Sequence, residues 1–135
     1  MNSKELQQRN KRFTLDVVEF SNHLPHNRPG NVFANQLIRS SSSVSANYRA
    51  VCRARSDKEF ISKLEIVIEE ADETLFWLEL IEESMILPRD YRFTFKSSNG
   101  EERTSDIELL KKEANELISI FIASAKTVKA RLNIK

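Results

Sequence analysis

Helix breakers are what this chain has least of. Two glycines and three prolines among 135 residues leave room for long uninterrupted helices and exclude a glycine-rich phosphate loop. One cysteine, Cys52, excludes an intramolecular disulfide and suits a reducing compartment. The only histidines, His23 and His26, stand in one loop with no cysteine partner. No HExxH or EF-hand spacing accompanies them, so no metal ligand is assigned. No apolar run approaches the roughly 18 residues of a membrane span, and MNSKELQQRNKRF carries no signal-peptide core. The expectation is a soluble cytoplasmic protein with no membrane contact. Net charge is also nearly missing: 21 basic residues against 20 acidic ones give +1. Any case for nucleic-acid binding therefore rests on where the charges sit.

What remains suits a helical bundle. Hydrophobic residues make up 40% and charged residues 30%, and a chain of this length buries roughly two thirds of its unfolded surface in one domain. A first helix is predicted over about 3–24, with Leu6, Phe13, Val17, Phe20 and Leu24 at helical spacing. His23 to Gly30 is the break. A second helix follows over about 31–55 on the line Phe33, Leu37, Val44, Tyr48 and Val51. Ser40 to Ser43 weaken helix propensity, but the period continues in phase on both sides and keeps them helical. Ser56-Asp57-Lys58-Glu59 is a capping box opening a third helix over about 57–86. Its core stripe is Phe60, Leu64, Val67, Ala71, Leu75, Leu78 and Met85, and Pro88 ends it. Ser105-Asp106-Ile107-Glu108 is a second capping box, opening a fourth helix over about 106–133. Mostly short links favour an all-α, antiparallel, up-down-up-down four-helix bundle. Between the last two helices, Tyr91, Phe93 and Phe95 alternate with polar residues, and Asn99-Gly100 is a hairpin signal. The returning residues, Glu101 to Thr104, lack an apolar face, so 88–104 is expected as an extended flap laying its aromatics on the bundle.

The third helix carries a second apolar line opposite its core stripe. Ser62, Ile66, Glu69, Glu73, Phe76, Trp77 and Leu80 recur at steps close to a heptad seam. An exposed Trp and Phe need a cover. The flap is one candidate; a subunit interface is preferred, because aromatic residues are typical interface anchors. Arg39, Arg49 and Arg53 lie on the outer face of the second helix, where pairing with Glu69 and Glu73 of another subunit is one use. The candidate interface is thus Ile66, Glu69, Glu73, Phe76, Trp77, Leu80 and Arg39.

Alternating helices would also gather cations at one end: Lys4, Arg9, Lys11, Arg12, Arg49, Arg53, Arg55, Lys58, Lys63, Lys126, Lys129, Arg131 and Lys135. Acids collect at the other end, among them Glu79, Glu82, Glu83, Glu101, Glu102, Asp106 and Glu108. Cations at the ends of the second and fourth helices complement the helix dipole, which accounts for part of the cluster and not for Lys4, Arg9, Lys11 and Arg12. The basic end is the footprint of phosphate contacts. Its candidate nucleic-acid-binding residues are Arg49, Arg53, Arg55, Lys58, Lys126, Lys129 and Arg131. No nucleophile-base pair or Glu-x-x-His carboxylate site is present. Cys52 reads as a small packed residue, and neither an enzyme nor a cofactor is expected.

The stretch QLIRSSSSVSANYRAVCRARSDKEFISKLEIVIEEADETLFWLELI resembles the four-helix bundle family of 23S rRNA intervening-sequence proteins. The matching elements are Gln36-Leu37, Arg39-Ser40, Ser43-Val44, Ala46-Asn47, Arg55-Ser56, Glu59-Phe60, Lys63-Leu64, Ala71, Glu73-Thr74 and Trp77-Leu78. Members usually carry alanine-glutamate-glycine after the asparagine; Tyr48-Arg49-Ala50 stands there in this chain. The resemblance implies a cytoplasmic bacterial bundle that assembles as a homo-oligomeric ring, commonly a pentamer. Related proteins include the accessory variability proteins of diversity-generating retroelements, which bind nucleic acid and a reverse transcriptase through a basic ring surface. RNA, DNA and a protein partner such as a reverse transcriptase are therefore the implied partners, and no catalytic residues carry over.

Overall fold

The computed structural model describes residues 1–133, so Lys135, assigned above to the basic end, lies outside the described residues. Four helices and one two-stranded hairpin are found among the described residues: α1 Ser3–Asn22, α2 Arg28–Val51, α3 Asp57–Ser84, β1 Phe93–Lys96, β2 Glu102–Ser105 and α4 Ile107–Asn133. One apolar core runs through all four helices, with Val17, Phe20, Leu37, Leu64, Leu78, Leu117 and Phe121 almost fully excluded from solvent. Tyr48 of α2 packs on Phe121 of α4 with ring centres 5.5 Å apart. α2 lies against α1 and α3, and α4 against α3 and, more thinly, α1. α3 and α4 run antiparallel, because Glu82, Glu65 and Asp57 pair in that order with Lys111, Lys129 and Arg131.

Local chemistry fixes where the helices begin. Asn2 accepts the Glu5 amide at 2.8 Å and caps α1. α2 starts three residues earlier than predicted. Asn27 accepts the Gly30 amide at 2.9 Å, and Pro29 falls in the first turn, where its missing N–H costs nothing. α2 also ends earlier, at Val51 rather than Arg55. Arg53 and Ala54 bond back to Ala50 and Val51 in tight turns, so Arg53 and Arg55 lie in the link to α3. The serine run is helical. Ser40, Ser41 and Ser42 return their hydroxyls to the carbonyls of Leu37, Ile38 and Arg39, which satisfies them without breaking the ladder. Two of them are fully buried, and Thr74 of α3 donates to Ser40 at 2.9 Å.

Ser56 caps α3 by accepting the Glu59 amide at 3.1 Å. The reciprocal half of the expected box is replaced, since the Glu59 carboxylate turns to Lys63 at 3.1 Å. Met85 is not a core residue. It ends α3 in the left-handed conformation, with φ 60°, and its side chain is exposed. The α4 cap is also displaced by one position. Asp106, not Ser105, accepts the Leu109 amide, at 2.8 Å, because Ser105 belongs to β2, opposite Phe93.

Residues 93–105 form an antiparallel hairpin rather than an extended flap, in the register Phe93 to Ser105 and Phe95 to Arg103. Gly100, with φ 84°, takes the left-handed turn position that favours glycine. The returning strand has no apolar face, and its anchor is ionic. Arg103 grips Asp16 of α1 through two nitrogens, one of them Nε at 2.9 Å. Arg12 reaches Glu101 at 2.9 Å, and Phe93 stacks on His23 with ring centres 3.6 Å apart. The hairpin therefore stands over α1, away from the outer face of α3.

Candidate nucleic-acid interface and apolar faces

The end of α2, the α2–α3 link, the start of α3 and the end of α4 come together at one end of the molecule. Arg131 approaches Asp57 at 3.4 Å and Lys129 approaches Glu65 at 3.7 Å, which brings the last turns of α4 beside the first turns of α3. All seven predicted nucleic-acid-binding residues, Arg49, Arg53, Arg55, Lys58, Lys126, Lys129 and Arg131, are exposed there. They divide into two groups. Arg55, Lys129 and Arg131 contact Glu59, Glu65 and Asp57 at 3.4 to 3.7 Å, separations at which exposed pairs hold weakly. Arg49, Arg53, Lys58 and Lys126 have no ion-pair partner among the described residues. Such a surface can bind phosphate oxygens by charge and hydrogen bonding.

Arg9 and Arg12 do not join this cluster. Arg9 forms a two-pronged pair with Glu113 at 2.6 and 2.8 Å, and Arg12 is committed to Glu101. Glu113 sits near the start of α4, far along that helix from Lys126 and Lys129, so α1 is set toward the acidic half of α4. The Glu113 hydrogen bond pushes the Arg9 pKa up. Lys11 does approach the cluster, since it shares a groove with Arg49, Ser42 and Ser45.

The outer line of α3 is largely uncovered. Ile66 is 45% and Phe76 51% exposed; Glu69 is exposed, and Glu73 and Leu80 are half-buried. Trp77 is tucked back against Phe76, at 5.2 Å between ring centres, and against Phe33 of α2 at 6.3 Å. Its indole donates to Glu73 at 3.3 Å. Arg39 bonds the same Glu73 and also approaches Glu70 at 3.4 Å, so within one chain Arg39 and Glu73 already satisfy each other and orient Trp77. The Glu73 hydrogen bond pushes the Arg39 pKa up.

A second apolar feature went unread in the sequence. A groove of about 910 Å³ opens between α1 and the hairpin, with Leu15, Val18 and Phe95 among its lining residues. Leu15 is 59% exposed. Its signal was available, because it falls off the Leu6, Phe13, Val17 and Phe20 line, but a lone exposed leucine is ordinary until a neighbour builds a wall beside it.

Among the described residues, no three His, Cys, Asp or Glu side chains cluster as a metal site would require. No helix among them is long and apolar enough to cross a membrane.

No functionally curated protein matches this chain significantly. Among solved structures it is similar to a protein of unknown function from the S23 ribosomal protein family of Bacteroides thetaiotaomicron. The two share 25% identity and superpose with a TM-score of 0.74, over 93% of this chain and 99% of the other. The family described as 23S rRNA-intervening sequence protein matches residues 3–123. With that span covering α1, α2, α3, the hairpin and α4 as far as Ala123, the chain belongs to the 23S rRNA-intervening sequence protein family.

Proposed function

We propose that this protein is a non-catalytic, cytoplasmic homo-oligomer of up-down-up-down bundles that binds RNA or DNA through its basic end. The observation that carries the reading is the convergence of seven exposed cations from α2, the α2–α3 link, α3 and α4, four of them free of ion pairs among the described residues. A nearly neutral chain gains a positive pole in this way, and a positive pole attracts polyanions regardless of sequence. In a ring each copy would add its own pole, and several weak contacts would sum to a useful affinity. Uncovered Phe76 and Ile66 support self-association, and the ring, commonly a pentamer, is what membership of the family suggests.

A second reading is a protein adaptor, for example to a reverse transcriptase. The same uncovered Phe76 and Ile66 favour it, since they would serve a protein partner as well as a second copy. One measurement separates the two: absolute mass in solution with the absorbance ratio at 260 and 280 nm, before and after a high-salt wash. A multimer carrying salt-removable nucleic acid supports the principal reading. A clean multimer favours the adaptor, and a clean monomer defeats both the interface and the ring.

A further inference from the structure

We propose that the groove between α1 and the hairpin receives the outer face of α3 from a second copy of this chain. This rests on the oligomer reading above and supplies the other half of its contact. Leu15, Val18 and Phe95 are the apolar residues lining the groove. Lys4, Lys11 and Lys96 also line it, and none of them has an ion-pair partner among the described residues. Arg9, Arg12 and Arg103 add positive charge but are matched by Glu113, Glu101 and Asp16, and Glu5 and Glu19 are the remaining acids of the wall. Three unpaired lysines against two glutamates leave a small cationic excess beside the apolar residues.

The outer face of α3 has the opposite composition. No lysine or arginine occurs between Lys63 and Arg89. Phe76 and Ile66 stand exposed among Glu65, Glu69, Asp72 and Glu79, all exposed as well. An acidic helix with an aromatic ridge complements a groove with a small cationic excess and an apolar lining. Pairing α3 with itself would instead set carboxylates against carboxylates, which disfavours that arrangement. The two surfaces are on different parts of the bundle, because α2 and α4 separate α1 from α3. The contact is therefore heterologous: each copy offers a ridge to one neighbour and a groove to the next, the arrangement that closes into a ring.

The test uses two full-length variants, Phe76→Asp to spoil the ridge and Leu15→Asp to spoil the groove, with mass in solution measured for each alone and for an equimolar mixture. The wild type should be a multimer and each variant a monomer. The mixture should form a one-to-one dimer, because only the intact ridge of L15D and the intact groove of F76D remain to meet. Multimeric L15D overturns the groove as receiver, and a mixture that stays monomeric overturns the pairing of these two surfaces. A monomeric wild type would instead remove the oligomer reading itself. Circular dichroism checks the fold. Should either variant unfold, Lys11→Glu with Lys96→Glu replaces L15D and Ile66→Asp replaces F76D, with the same outcomes.

Discussion

Replacing Arg49 and Arg53 with glutamine should halve the salt sensitivity of nucleic-acid binding. Both side chains are exposed and unpaired among the described residues, so neutral substitutes break no ion pair and leave the fold intact. Four such cations, with Lys58 and Lys126, are ready to displace counterions from a polyanion. Four phosphate contacts give a log–log slope of about −3.6 on duplex DNA and about −2.8 on a single strand. Between about 50 and 200 mM salt the duplex affinity should then fall roughly 150-fold. With two contacts left, the slope becomes about −1.8 and the fall roughly 12-fold. Arg55, Lys129 and Arg131 must first give up Glu59, Glu65 and Asp57, so they add less per residue. In an assembly the absolute slopes rise with the number of copies touching the ligand, but their ratio does not. Fluorescence anisotropy with a labelled oligonucleotide, titrated at several salt concentrations, reads both slopes, and the mass of each variant is measured in the same sample. An unchanged slope in the double variant, with assembly intact, would refute the basic end as the binding surface.

Three further perturbations test the rest of the reasoning. Trp77→Ala removes the ring that backs Phe76 and releases the Glu73 contact, so it should lower the assembled mass; an unchanged multimer would remove this face as the interface. Gly30→Ala would ordinarily stabilise a helix by about 1 kcal/mol. Here a Cβ would sit 1.9 Å from the Pro25 carbonyl oxygen, and since overpacking costs roughly 1–3 kcal/mol, denaturant unfolding should show a loss, whereas a gain would contradict the packing at this turn. The Lys111 hydrogen bond holds the Glu82 carboxyl below its ordinary range. The stability it supplies is present above the unfolded-state pKa and is lost as pH falls through the lower folded-state pKa. Lys111→Met should therefore flatten part of the acid-side decline by roughly 0 to 1 kcal/mol, measured as denaturant midpoints across that range.

Helices were legible in this sequence because their signals are local. Ser56 marks the start of α3 through a side-chain oxygen that acts within one turn, whereas Pro88 lies beyond its end, which Met85 sets earlier in the left-handed conformation. The serine run was legible through the phase of its neighbours. Errors occurred where a distant group competed for a local one. Ser105 looked like a cap until pairing with Phe93 drew it into a strand, and Asp106 took over the cap. The hairpin's turn was legible in Asn99-Gly100, but the flap was preferred because the returning strand has no apolar alternation. Its anchor is Arg103 on Asp16, 87 residues apart in sequence, and no periodicity reports an ion pair across that distance. Arg9 was placed at the basic end by the same limitation, since composition along a helix does not say how far that helix slides against its neighbour.

That slide shapes the candidate surfaces. With Arg9 opposite Glu113, α1 lies beside the first half of α4. The cations at the end of α4 therefore meet the α2–α3 link and the start of α3 rather than α1. Apart from Lys11, which approaches Arg49, the basic end is built by three helices, and α1 is left to carry the hairpin. Arg12 and Arg103 are the residues that make this arrangement, because each ties the hairpin to α1 through a carboxylate. Breaking the Arg103–Asp16 pair by Asp16→Asn would loosen one wall of the groove without touching the cations of the basic end. Assembly and nucleic-acid binding would then separate: the mass would fall, while the affinity remaining in the monomer would keep the slope set by Arg49, Arg53, Lys58 and Lys126. If the monomer's slope fell short of the roughly −3.6 that those four cations set on duplex DNA, the two surfaces would be one, and the division of labour between α1 and the other three helices would be wrong.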